Sequence, residues 1–583
     1  MIFFRRRLRT TPERLKPLPL PPEAPHMVRL DGASKAAMDT GRTRLFVTGV
    51  VMGTAFLAIA GRLVDVSVFK PTGEMRFGRT TVSAPLIVQR GDITDRNGVL
   101  LATSLPTASL YADARRVLDP AGAATRLAQV LPGLDVEDTH NKLASGKSFV
   151  WIRRNLTPRE HFEVNRLGIP GLDFQREERR VYPQGQIAAH VLGFTDIDGY
   201  GISGVERVLD QALRENNESV RLSIDIRLQH LVREELRRAM GEFQAIGATG
   251  IILDANNGEV LALESLPDFD PNAPASSDTE ARFNRATLGV YEMGSTFKIF
   301  NTAMALDSGT TSINAGYDAS HPIQVARFTI RDDHPKARWL SVPEIFMYSS
   351  NIGSVKMALD AGTRTQQAFL KKMGMLDPVK IELPEVGMPM VPSPWREINT
   401  MTIAFGHGIA VTPLHLASGV ATVVNGGTQY APTLIRRAGE ATGNRVISAK
   451  TSATMRKLMR LVVEQGTGKQ ANVPGYLTGG KTGTAEKASS AGYRRKALIS
   501  SFVGAFPMND PKYVVLVMLD EPKGNRSTYG FASGGWTAAP TMARIVNRMA
   551  PMVGIPPIDD AAPQVRDAIA IDLNSRGRTL ASY

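Results

Sequence analysis

Hydrophobic and polar positions change rhythm several times along this chain, and each change marks a segment. From Leu45 to Ala60, sixteen residues carry no charge (LFVTGVVMGTAFLAIA). With Leu63-Val64 and Val66 beyond Arg62, the run reaches the roughly 20 mostly apolar residues that cross a bilayer as a helix, provided Arg62 snorkels or pairs. Arg62 and Asp65 are three apart on one helical face and can pair with each other or with a partner helix. A cleaved signal peptide is the plainer alternative, because Ala58-Ile59-Ala60 resembles an A-x-A site. The 44 residues ahead of the run are too many for such a peptide, whose whole length is about 15–30 residues. The pattern predicts a single membrane anchor over 45–68.

Residues 71–220 alternate short strand-like runs with turn clusters. Arg90 to Asp95, then Asn97-Gly98, then Val99 to Ala102 reads as strand, tight turn, strand. From Ile226 the apolar spacing becomes helical, which marks the start of a second, larger domain. There Gly250 to Asp254 and Glu259 to Leu263 flank Asn256-Asn257-Gly258, a hairpin. Phe502 to Phe506 and Tyr513 to Leu519 flank Asn509-Asp510-Pro511, another. Between the hairpins, Phe283 to Arg460 reads as mainly helical, and Trp536 to Met549 as a C-terminal helix. An antiparallel sheet interrupted by a helical insert predicts an α/β (α+β) fold with the functional site at the seam. The expected division is a tail over 1–44, the anchor over 45–68, a smaller domain over 69–220, a larger one over 221–552, and a loose tail over 553–583.

Composition sharpens this picture in two places. The chain has no cysteine, which excludes thiol catalysis and disulfides. Its net charge is +13, and residues 1–44 hold ten basic and four acidic groups, so +6 sits ahead of the anchor. Basic residues on that side predict a cytoplasmic N-terminus with everything after residue 70 outside. Within the tail, Lys16 to Pro25 (KPLPLPPEAP) predicts an extended linker. No aromatic-interleaved basic motif accompanies the tail, so nucleic acid is not an expected partner.

Three polar motifs carry the candidate chemistry: Ser295-Thr296-Phe297-Lys298, Ser349-Ser350-Asn351 and Lys481-Thr482-Gly483-Thr484. Each alone is a common accident. Ser295 can be a helix cap beside a solvated lysine, Ser349-Ser350-Asn351 a polar loop, and the third a phosphate loop. The last alternative fails, because neither Gly480-Lys481-Thr482 nor Gly466-Thr467-Gly468-Lys469 completes G-x-x-x-x-G-K-[ST]. All three in this order match the set of penicillin-binding proteins and class A β-lactamases. A spacing of three places Lys298 beside Ser295 on a helix, where a lysine of lowered pKa can take the hydroxyl proton. Burial and a second cation, Lys481, would lower it. Ser349 can relay a proton, and Asn351 can hold both the lysine and a substrate amide. Thr482, Gly483 and Thr484 suit a glycine-rich edge strand that binds a peptide backbone and its terminal carboxylate. The backbone N–H groups of Ser295 and Thr484 are the expected oxyanion donors.

With these motifs, the chain resembles the class B penicillin-binding proteins, the monofunctional peptidoglycan transpeptidases. Arg90-Gly91 with Asp95 to Gly98, Arg180-Val181-Tyr182-Pro183, His190, Gly193, Gly204 and Glu206 look like the family's N-terminal pedestal motifs. Asn284-Arg285-Ala286, Gly406-His407-Gly408, Thr412-Pro413, Gly466-Thr467-Gly468 and Ala538-Ala539-Pro540 also fit. Glu292-Met293-Gly294 departs from it, since many members carry proline before the glycine. The resemblance implies a membrane-anchored pedestal (dimerisation-type) domain and a β-lactamase-like transpeptidase domain. It implies a serine acyl-enzyme on D-Ala-D-Ala stem peptides, inhibition by β-lactams, and no metal or cofactor. The segment Ala404 to Gly408 and the long tail look most like the septal branch. That branch implies a polytopic glycan polymerase and other divisome proteins as partners, and an inner-membrane location at the septum with the catalytic domain periplasmic. A lateral-wall elongation enzyme, a penicillin-binding sensor and a catalytically idle divisome scaffold are the alternatives. A secreted β-lactamase would need neither the pedestal nor the anchor.

Overall fold

The computed structural model describes residues 31–64, 90–215, 218–325, 328–489, 492–571 and 573. The basic, proline-rich segment 1–30, the side chain of Arg62 with its expected partner Asp65, and residues 574–583 lie outside the described residues. The chain forms two units, Met1–Leu86 and Ile87–Tyr583. In the first unit, helix α1 spans Asp31–Val64 and begins well before the apolar run, because Ala, Lys, Met and Arg in 31–44 are adequate helix formers. Its apolar side chains are exposed all round, among them Leu45, Val51, Phe56 and Ile59. Thr54 donates its hydroxyl back to the Val50 carbonyl at 2.7 Å. Among the described residues no helix is long and apolar enough to cross a membrane.

The second unit starts with a five-stranded sheet of β1 (Ile93–Thr94), β2 (Leu100–Ala112), β3 (Val150–Leu156), β4 (Leu172–Val181) and β5 (Val220–Arg221). The hairpin expected at Asn97-Gly98 is present: Ile93 faces Ala102 across it. Gly98 has φ 90°, and the Asp95 carboxylate accepts the amides of Asn97 (2.7 Å) and Val99 (2.8 Å). Several of the pedestal-like residues meet in one buried charge cluster. Glu206, fully buried, pairs with Arg90 at 2.6 Å and Arg180 at 2.7 Å, and Arg90 also reaches Asp210 at 2.7 Å. The same turn ties this sheet to the segments that follow it. Asp95 accepts the Ile226 amide at 3.2 Å, Arg96 pairs with Glu259 at 3.2 Å, and β1 runs parallel to β5.

Beyond this sheet the chain enters α2 (Ile226–Phe243), capped by Asp225, whose carboxylate accepts the Arg227 amide. Strands β6 (Gly247–Asp254) and β7 (Val260–Leu266) follow as the expected hairpin. The helical insert contains α3 (Lys298–Asp307), α4 (Val342–Tyr348), α5 (Asn351–Ala361), α6 (Pro413–Val424) and α7 (Ala449–Glu464). The sequence pattern overstates helix here. Short strand pairs occupy 316–341, and an irregular stretch near 374–396 holds five prolines, each lacking the donor a helix needs. The chain returns as β8 (Gly479–Ser489), β9 (Gly492–Phe506) and β10 (Tyr513–Asp520), completing an antiparallel sheet of order β8-β9-β10-β6-β7. Alternate residues feed two cores. Ile252, Phe502, Val515 and Val517 pack toward α2 and toward α8 (Ala538–Met552). Ile251, Leu253, Val503 and Leu516 pack toward the insert. Both faces are covered, which is why β6 and β10 read as continuous apolar runs rather than alternation. Residues 553–571 are more ordered than the sequence suggests. Helix α9 (Pro563–Ile569) docks there, with Ile569 and Ile571 buried in the core of the insert side.

Candidate active site

Gly294–Phe297 forms a tight 3-10 turn that runs into α3, so Ser295 sits just ahead of the helix and Lys298 is its first residue. Gly294 has φ 52°, and a side chain there would stand 2.6 Å from the Thr484 carbonyl. A side chain at Gly406 would likewise meet the Gly294 carbonyl at 2.0 Å. Glycine at these two places lets β8 and the 404–408 loop close on the serine from either side.

The second motif lies at the break between α4 and α5. Ser349 ends α4 in the left-handed region at φ 61°, and Ser350 caps α5 by accepting the Gly353 amide. This geometry brings Ser349 to the lysines. Lys298 Nζ lies 3.1 Å from Ser295 Oγ, 3.0 Å from Ser349 Oγ, 2.6 Å from the Ser349 carbonyl and 2.7 Å from Asn351 Oδ1. Lys481 Nζ donates to Ser349 Oγ at 2.9 Å from the other side. The result is a continuous chain from Ser295 through Lys298 and Ser349 to Lys481. Two of the four acceptors around Lys298, the carbonyl and the amide oxygen, can only accept. They take two N–H groups, and the remaining valence faces the two serine hydroxyls. When Lys298 is neutral, that valence is a lone pair aimed at a hydroxyl proton, the arrangement a general base requires.

Electrostatics favour the neutral form. Burial pushes Lys298 down to about 7, with the carboxylates of Asp333 and Asp332 opposing the shift. Lys481 is also pushed well below the usual lysine range, by burial first and then by the charge of Lys298. Burial thus does to Lys298 what the sequence assigned partly to Lys481; the repulsion between the two ammonium groups falls on Lys481.

The third motif occupies β8, which is the edge strand of the sheet as expected, with Lys481 opposite Val503 and Thr484 opposite Ser500. Thr482 shares a hydroxyl hydrogen bond with Thr467 at 2.8 Å, and Thr484 Oγ1 accepts the Gly534 amide at 3.1 Å. The Thr484 amide nitrogen lies 3.3 Å from where a Gly294 side chain would begin, close beside Ser295. The structure therefore brings together all eight candidates: Ser295, Lys298, Ser349, Asn351, Lys481, Thr482, Gly483 and Thr484.

Two residues were not among the sequence candidates. Asp332 accepts the Ser350 hydroxyl at 2.8 Å and the amides of Asn351 (2.6 Å) and Ile352 (3.0 Å), so it fixes the second motif in place. Its acidic pair with Asp333 lies in a loop with no motif to mark it. Thr467 entered the sequence reading only as part of a glycine-flanked triplet, and its contact with Thr482 gives it a place at the site.

Residues 248–546 match the penicillin-binding protein transpeptidase domain, and residues 85–237 match the penicillin-binding protein dimerisation domain. The chain is 37% identical over 546 residues to a probable peptidoglycan D,D-transpeptidase FtsI of Caulobacter vibrioides, covering 91% of this chain and 92% of that one. It is 32% identical over 578 residues to a probable peptidoglycan D,D-transpeptidase PenA of Neisseria meningitidis, covering 93% and 97%. Its fold is similar to that of penicillin-binding protein 3 of Mycobacterium tuberculosis complexed with ampicillin, with a TM-score of 0.65, 24% identity, and coverage of 83% of this chain and 99% of that one. On its two matched domains and its relatives, this chain belongs to the class B penicillin-binding proteins.

Proposed function

We propose that this protein is a septal peptidoglycan D,D-transpeptidase that works through an acyl-enzyme on Ser295. The observation that carries the reading is the buried Lys298, its pKa lowered by burial, held 3.1 Å from Ser295 Oγ and 3.0 Å from Ser349 Oγ. Lys298 takes the Ser295 proton as Oγ attacks the penultimate D-Ala carbonyl of a donor stem peptide. Negative charge develops on the carbonyl oxygen against the amides of Ser295 and Thr484. The C–N bond breaks, and Ser349 relays the proton from Lys298 to the departing D-Ala amine. An amine of an acceptor strand then attacks the ester and gives its proton to the same lysine, which passes it to Ser295 Oγ as the ester C–O bond breaks, leaving free Ser295 and the cross-link. Lys481, Thr482 and Thr484 hold the terminal carboxylate, β8 pairs with the peptide backbone, and β-lactams acylate Ser295 in place of the donor.

The residues 45–68 supply the membrane anchor in this reading, with the N-terminus cytoplasmic and the catalytic domain periplasmic. A charge-free stretch on a continuous helix with exposed apolar side chains supports it. Similarity to the FtsI transpeptidase supports the septal role, in which a glycan polymerase and divisome proteins are the partners. The test combines two readouts. With lipid-linked precursor and a glycan polymerase, the wild-type protein should form cross-links and release D-Ala, and Ser295→Ala should do neither. Fluorescent penicillin in cells should mark midcell; signal along the side wall would keep the chemistry and assign the protein to elongation.

A further inference from the structure

A polar cleft of about 430 Å3 lies between β3, β4, the turn at 195–199 and the segment 271–274, and it shares no residue with the catalytic site. Four arginines and three acids line it, so what each already holds decides the charge it offers a ligand. Every acid holds a donor of its own chain. Glu160 accepts the amide (2.7 Å) and the hydroxyl (2.8 Å) of Thr157, as part of a helix cap. Asp196 accepts the amides of Asp198 (2.9 Å) and Tyr200 (2.8 Å), which closes its turn. Glu178 accepts the Arg90 amide at 3.4 Å, and burial pushes its carboxyl up.

The arginines are less fully engaged. Arg154 is paired with Glu177 at 2.7 Å and Asp198 at 2.8 Å. Arg153, in contrast, reaches the Pro132 carbonyl alone among the described residues, at 3.2 Å. The Arg179 side chain is exposed and makes no hydrogen bond or ion pair among the described residues. Arg180 gives Nε to Glu206 at 2.7 Å and Nη1 to the Gly91 carbonyl at 2.9 Å, but its buried Nη2 has no partner. A buried donor left open is costly. Open donors on three guanidinium groups suit an anion, and the planar fork of arginine matches a carboxylate. The rim adds an apolar surface. The Arg154 guanidinium lies 5.2 Å from the Trp151 ring centre. Phe149, 43% exposed, stands edge-on to Trp151 at 4.9 Å and stacks on Tyr111 at 4.7 Å. Ring faces beside a cationic cleft fit a ligand with both C–H faces and carboxylates. The polymer of the reading above has both, as sugar rings bearing peptides that end in carboxylates.

We infer that this cleft binds a stem peptide of the glycan polymer through its carboxylates, on Arg153, Arg179 and Arg180, with the attached sugar against Phe149 and Trp151. The inference rests on the transpeptidase reading above. The test uses the full-length protein with Ser295 first acylated by benzylpenicillin, which closes the catalytic site, and a soluble disaccharide pentapeptide as the probe. Calorimetric titration gives Kd, and melting temperature checks folding. The acylated wild type should bind the probe saturably and bind a probe with amidated carboxylates more weakly. Arg153→Glu and Arg179→Glu should each weaken binding by about fivefold, the scale of one partly exposed charge pair, and Phe149→Ala should also weaken it. No saturable binding, equal binding of the amidated probe, or an unmoved Kd in both folded arginine variants overturns the inference. Tighter binding of a sugar-free oligoglutamate, indifferent to Phe149→Ala, also overturns it and assigns the cleft to an acidic protein segment. If benzylpenicillin does not acylate Ser295, the transpeptidase reading itself is what fails.

Discussion

Replacing Asp332 with asparagine tests whether the second motif is held for catalysis by a residue outside all three motifs. In wild type, one carboxylate accepts three hydrogen bonds, from the Ser350 hydroxyl and the amides of Asn351 and Ile352, at 2.6–3.0 Å. Asparagine can keep one oxygen on the two amides, but it loses the charge and turns an NH2 toward Ser350. Weakening two charge-assisted bonds and losing a third costs about 2 kcal/mol. Asn351 also positions Lys298 through a 2.7 Å bond, so that loss enters the acylation barrier and slows penicillin acylation by about 30-fold. The pH dependence makes the prediction sharper. Lys298 must be neutral to act, so acylation rises as pH passes through its pKa of about 7. Asp332 holds that pKa up, so its neutralisation should move the rising limb to lower pH. Stopped-flow acylation of Asp332→Asn between pH 5 and 9 measures both effects. An unchanged rate with an unmoved limb, or a limb displaced to higher pH, would refute the reasoning.

Three further outcomes follow from the same geometry. Gly294→Ala should acylate at least tenfold more slowly while keeping its fold, because a side chain 2.6 Å from the Thr484 carbonyl, at positive φ, pushes β8 away from Ser295; wild-type kinetics would show that the contact relaxes without consequence. Glu206→Ala leaves Arg90 and Arg180 buried without their shared partner, and denaturant unfolding should show a loss of about 3–5 kcal/mol; an unchanged midpoint would mean that water replaces the carboxylate. Lys298→Ala should depress acylation by orders of magnitude and abolish the limb near pH 7, whereas a surviving limb would assign the base to another group.

The site was legible in the sequence because its groups come from short stretches whose local geometry is strongly specified. One helical turn joins Ser295 to Lys298, one helix break presents Ser349 and Asn351, and one edge strand carries Lys481 to Thr484. Hairpins at Asn97-Gly98 and Asn257-Gly258 were legible for the same reason, since Gly98 and Gly258 take up positive φ at the turns. What the sequence did not show depends on contacts between distant segments. Asp332 reaches the second motif from a loop without periodicity. Thr467 reaches Thr482 across the gap between α7 and β8. The burial that lowers Lys298 is a property of the folded chain that the motif itself does not state. The helix at Pro563–Ile569 escaped because its few apolar residues dock on a surface that only the folded insert creates.

Peptide mapping by mass spectrometry after labelling with benzylpenicillin tests the central claim most directly. The account predicts a single penicilloyl adduct on Ser295, formed faster as pH rises through about 7 and absent in a folded Ser295→Ala protein. An adduct on another residue, or undiminished labelling of Ser295→Ala, would contradict it.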